Sequence, residues 1–147
     1  MTVSTDNLNI LFLQIHKTIE ETADRVAASL TNHSADDLIS YPPNGGLTES
    51  ENESLRTIGT DKHLASGLRK IIADSCATVI FDILANIDDV KAPDIDTDKW
   101  KGIKLVDNAD DVEPPNDLML HDKLYDSYWE WRKRRENKDW KLDNYEG

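Results

Sequence analysis

The sequence predicts a mainly α protein, a compact helical bundle around a buried central helix, with a long acidic loop or small hairpin between its last two helices. Three observations predict it. Apolar residues recur at helical spacing in three long segments. From Ile71 onward the middle segment is apolar around most of its circumference, the pattern of an enclosed helix. The strongest breakers, Tyr41-Pro-Pro-Asn-Gly-Gly46 and the prolines at 93, 114 and 115, all fall between those segments.

The first helix is expected over residues 7–30, with Ser4, Thr5 or Asp6 as its N-cap. Leu8, Leu11, Phe12, Ile15, Ile19, Ala23, Val26 and Leu30 form one stripe. Lys17, Glu20, Glu21, Asp24 and Arg25 take the other side, while Ile10 and Leu13 fall off the stripe. After the Pro-Gly break, Thr48 and Glu51 have capping-box spacing and open a short helix that stops at Gly59. Thr60 or Asp61 then opens the central helix, which ends near Asp88. Leu64, Leu68, Ile72, Cys76, Val79, Ile80, Ile83, Leu84 and Ile87 make it apolar, so Cys76 reads as a packed, slowly reacting thiol.

Residues 88–117 carry ten acids against four lysines, and their prolines argue against a continuous helix. Trp100, Ile103 and Leu105 suggest short extended segments or an anchored loop. The last helix is expected over residues 116–135. Its broad aromatic arc includes Leu120, His121, Leu124, Tyr125, Tyr128 and Trp129, and Asp122, Asp126 and Glu130 stack on the other side. Arg132 to Arg135 crowd its C-terminal end, where cations suit the helix dipole. The tail from Glu136 is polar, with Trp140 and Tyr145 able to dock. No internal repeat is present, so residues 1–147 read as one domain.

Composition narrows function. With 38% apolar and 31% charged residues, the chain is polar yet well above the disordered class. A formal charge of −12 opposes nucleic-acid backbones and anionic membranes, and it complements a basic protein. Cys76 is the one cysteine, so no internal disulfide forms. The first residues lack a basic leader pattern, and the apolar run at 10–15 is too short to span a bilayer. The expectation is a soluble, cytoplasmic protein whose oligomeric state the sequence leaves open.

Chemical motifs are few. Gly45-Gly46 lacks the Lys-Ser/Thr that a phosphate loop needs. Asp94, Asp96 and Asp98 imitate the start of a calcium loop, but Lys99 and Leu105 stand at its glycine and glutamate positions. Helical metal centres use Glu-x-x-His pairs, and only looser patterns such as His16 with Glu20 occur. Neither a catalytic residue nor a cofactor or metal is therefore expected. Two polar residues stand apart. Asp82 falls inside the apolar arc of the central helix and should be buried and hydrogen-bonded. His121 lies in the aromatic arc, where a hydrogen-bonded core or rim role is the natural reading.

Leu68-Arg-Lys-Ile-Ile-Ala-Asp74, Phe81-Asp-Ile-Leu84, Ile87-Asp-Asp89, Trp100-Lys-Gly-Ile103, Met119-Leu-His-Asp122 and Tyr128-Trp129 together resemble small acidic bacterial proteins, among them immunity partners of contact-dependent and other polymorphic toxins. The resemblance covers about the last half of the chain. It implies a non-catalytic inhibitor that binds one basic toxin domain, often a nuclease, and transfers no catalytic residue. The acids expected to meet such a partner are Asp107, Asp110 and Asp111 of the loop and Asp122, Asp126 and Glu130 of the last helix. Other readings, a helical metal-dependent hydrolase or an acidic adaptor, require converging metal ligands or a different protein partner.

Overall fold

A computed structural model describes residues 3–41, 46–108 and 119–138. It is mainly helical: α1 (Thr5–Thr31), a 3-10 turn (Ala35–Leu38), α2 (Glu49–Leu55), α3 (Lys62–Ile87), α4 (Leu120–Asp126) and α5 (Tyr128–Arg134). Contacts divide the chain into two compact units. One comprises Met1–Thr18 with Ala77–Glu136, the other Ile19–Cys76 with Asn137–Gly147. Helices α1 and α3 each give one stretch to either unit.

The first unit has a core of Val3, Leu8, Phe12, Leu84, Leu120 and Leu124, flanked by Ile15, Ile80, Phe81, Ile87 and Leu105. Burying each large apolar side chain here contributes about 1.5–3 kcal/mol. Helix α1 starts where Ser4 Oγ accepts from Asn7 N at 3.2 Å, one of the caps its sequence offers. Helix α3 stops in a Schellman-type turn: Val90 N donates to Ala85 O at 3.0 Å, and Asp89 takes the left-handed conformation with φ 57°. An aspartate tolerates that backbone better than most side chains.

In the second unit Ile19, Ala23 and Ala27 form the buried line of α1, joined by Ala35. The capping box at α2 forms in both directions, with Glu51 N donating to Thr48 Oγ1 and Thr48 N donating to the Glu51 carboxylate. That carboxylate is held below its ordinary range by the bonds from Thr48. Helix α2 closes at Leu55, short of Gly59, through bonds from Arg56, Thr57 and Ile58. Asp61 caps α3, its Oδ1 accepting from His63 N and Leu64 N. Arg69 pairs with Asp24 at 3.1 Å, and His33 Nε2 donates to Ile58 O at 2.9 Å.

Several expectations need correction. Helix α3 is not enclosed: Leu84 and Ala85 are its buried residues, while Ile71 and Val79 are 65% and 58% exposed. An apolar circumference sets what a helix tolerates, and the neighbours it packs against decide what it buries. Cys76 is accordingly half-buried. Asp82 is exposed, pairing with Lys91 Nζ at 3.3 Å, because it shares the side of α3 that carries Val79 and Ile83. On α1 the buried positions are 8, 12, 16, 19, 20, 23, 27 and 31, so Leu11 lies off the buried side and Glu20, expected on the polar side, is buried with an interaction of its own. Leu8, Phe12, Ile19 and Ala23 of the expected stripe are buried, and further four-residue steps, each about 40° beyond a full turn, add His16 and Glu20 and then Ala27 and Thr31.

The expected last helix is divided at Ser127. Its hydroxyl donates to Lys123 O at 2.7 Å, the back-bonding that bends helices. Among the described residues of the acidic segment no strand forms apart from the single bridging residue Val106, and the chain there is a loop. Turns at Asp96–Lys99 and Thr97–Trp100 shape it, and Leu105 packs on the core. The rest of that segment (109–118), the start expected for the last helix, most of the Pro-Gly break (42–45), and Trp140 and Tyr145 lie outside the described residues.

Candidate functional site

Helix α4 inserts Leu120 and Leu124 into the core of the first unit, and those two positions fix which side of α4 and α5 faces outward. Asp122, Tyr125, Asp126, Trp129 and Glu130 are all exposed, at steps of three and four residues. At about 100° per residue these positions span an arc of roughly 140°. On that arc the two rings lie side by side along one flank and the three carboxylates along the other. Tyr125 is 55% and Trp129 47% exposed. The sequence places the acids correctly but assigns the two rings to the opposite, apolar arc. A wheel centred on Leu120 and Leu124 would have separated them.

Behind this face stands a packed polar–aromatic network. Asp88 Oδ2 accepts from the backbone N of His121 at 3.0 Å and from its ring Nδ1 at 2.6 Å. The Asp88 side chain is only 4% exposed. It supplies the cap that Met119, the residue before α4, does not. The other ring nitrogen, Nε2, lies 3.7 Å from Asp122 Oδ1. Phe81 meets the His121 ring edge-on at 5.2 Å, and Tyr125 leans against Phe81 at 5.7 Å. His121 thus has the hydrogen-bonded rim position its sequence context suggests. Asp88, hidden in an acidic run, gave no sequence signal for its part.

A second histidine enters from α1. His16 is buried; its Nε2 lies 2.9 Å from Ser127 Oγ, and its ring meets Tyr128 edge-on at 5.8 Å. Since Ser127 gives its proton to Lys123 O, the imidazole N–H donates to Ser127 Oγ. Burial lowers the His16 pKa to about 4, although the Leu124 carbonyl pulls the other way, so the ring is neutral at pH 7. Lys123 Nζ sits 6.0 Å from the centre of the Phe12 ring.

The other acids singled out from sequence fare differently. Asp107 accepts from Ser4 N at 2.9 Å and bonds the Asn7 side chain, which together hold its carboxyl below the ordinary range. It ties the loop to the N-terminus of α1 from a half-buried position. Asp110 and Asp111 lie outside the described residues. Glu130 pairs with Arg134 one turn on, while Asp122 and Asp126 project from the same face.

A cleft of about 510 Å³ opens beside Asp88, between Ile87–Asp89, residues 101–105 and Met119. Its walls mix aliphatic side chains with two aspartates and two lysines, and Gly102 turns there with φ 78°. Among the described residues no group of three or more His, Cys, Asp or Glu side chains is placed to hold a metal ion. No helix among them is long and apolar enough to cross a membrane. Comparison with protein-family models, curated proteins and solved structures gives no match, so the reading of this site rests on its own geometry.

Proposed function

We propose that this protein is a non-catalytic inhibitor that binds a basic protein, an immunity protein neutralising a cognate basic toxin domain. The observation that carries the reading is the joint exposure of Tyr125 and Trp129 among Asp122, Asp126 and Glu130 on α4 and α5. Exposed Tyr and Trp rings are the side chains that most often dominate binding energy when a partner covers them. Carboxylates around them steer a cationic partner and repel wrong ones. The network of Asp88, His121 and Phe81 holds that face in place before binding, which reduces the ordering cost of association. A net charge of −12 supports a basic protein, and not a nucleic acid or anionic membrane, as the partner.

Co-expression with the product of the adjacent upstream gene, as the candidate toxin, tests the reading. The two chains should co-purify as a stoichiometric complex, and cells producing the toxin domain should survive when this chain is present. Survival without any complex, or a complex that leaves the toxin fully active, would contradict it.

A further inference from the structure

We infer that the α4–α5 face recognises arginine side chains carried one helical turn apart on an α-helix of its partner. The inference rests on the reading of this face as a protein-binding surface and specifies its occupant. Tyr125 and Trp129 are four residues apart, as are Asp122 and Asp126, so rings and carboxylates each repeat at about 6 Å along the axis. Tyr125 follows Asp122, and Trp129 follows Asp126, by three residues, the spacing of helical neighbours, so each of these two carboxylates has an exposed ring on the next turn. That pairing suits a guanidinium, which stacks flat on a ring while its fork of N–H groups meets a carboxylate in two parallel bonds. An ammonium is a hydrated point charge and uses only half of such a site.

Arg134 Nη2 lies on Glu130 Oε1 one turn away, a guanidinium already seated on the third carboxylate. Asp122 and Asp126 have no arginine of the chain on them among the described residues. Their spacing matches residues i and i+4 of a second helix lying along α4, about 6 Å apart on one face. Tyr125 is braced from below by Phe81, and Asp122 sits 3.7 Å from His121 Nε2, so both reach the surface from supported positions. Charge complementarity selects a cationic occupant, and exposed rings select arginine over lysine.

Two stapled helical peptides, identical except for Arg or Lys at positions i and i+4, test this on the intact wild-type chain by calorimetric titration. The arginine peptide should bind at least tenfold tighter, and moving its second arginine to i+2, off the shared face, should remove most of that gain. Asp126→Asn should weaken the arginine peptide about tenfold and leave the circular dichroism melt unchanged. Equal binding of both peptides, or indifference to Asp126→Asn, overturns the inference. A toxin domain that binds tightly while the peptides fail that comparison leaves the inhibitor reading standing and refutes arginine recognition alone. Peptide discrimination in a chain that protects against no toxin does the reverse.

Discussion

Asp88 and Asp82 lie six positions apart along the chain, and their environments are opposite. Asp88 is enclosed and accepts two hydrogen bonds from His121, whereas Asp82 stands in solvent beside Lys91. Asp88→Ala should cost about 2–3 kcal/mol, since it strands a backbone N–H and a ring N–H in a mostly buried setting. Asp82→Ala should change stability by less than about 0.5 kcal/mol, as exposed ion pairs contribute little. Urea unfolding of the two variants checks the contrast, and equal losses would contradict it. The sequence misdirects attention to Asp82 because wheel position reports apolar neighbours on the same helix, not the elements that pack against it. His121 was legible because an imidazole amid leucines and aromatics needs a partner wherever it points. That partner, Asp88, was one acid among ten in its segment.

Helix ends and junctions set the accuracy at the element scale. The capping box of α2 and the Asp61 cap of α3 follow from local sequence, because cap and helix are neighbours in the chain. The starts of α1 and α4 also engage remote carboxylates, Asp107 and Asp88, more than thirty positions away in sequence. No local pattern encodes such a cap, so the structural parts of Asp107 and Asp88 are hidden in their sequence context. The break at Ser127 is similar, for it joins a local back-bond to a distant imidazole on α1. That junction makes stability depend on pH. His16 has a folded pKa of about 4 and an unfolded value near 6.5, so between these limits the unfolded chain binds a proton that the native chain does not. Stability should fall as pH drops, by about 2 kcal/mol between pH 7.5 and pH 5 from this residue. His16→Asn should flatten that part of the profile in chemical denaturation, and an unchanged slope would place the pH sensitivity elsewhere.

At the scale of the molecule, helical content and acidic charge were readable because both follow from composition and periodicity summed over many residues. Which apolar surfaces pair was not, since α3 could have buried almost any of its sides and in fact leaves Ile71, Val79 and Ile83 exposed. The α4–α5 face shows the same division. Its acids were visible as an i, i+4 row, while the intervening rings become part of it only once Leu120 and Leu124 anchor α4. Like charges at that spacing disfavour a helix by about 0.2–0.5 kcal/mol per pair, so the row opposes helix stability. If this row and its rings meet a basic protein, reversing the charge of the row must slow the encounter. Stopped-flow association of the purified toxin domain with the wild-type chain and with a variant carrying Asp122→Lys, Asp126→Lys and Glu130→Lys, across a range of salt, tests it most directly. Association of the variant should be slower by at least tenfold at low salt, with a flattened salt dependence and an unchanged far-UV spectrum. Association of the variant at the wild-type rate, with the same salt slope, would contradict it.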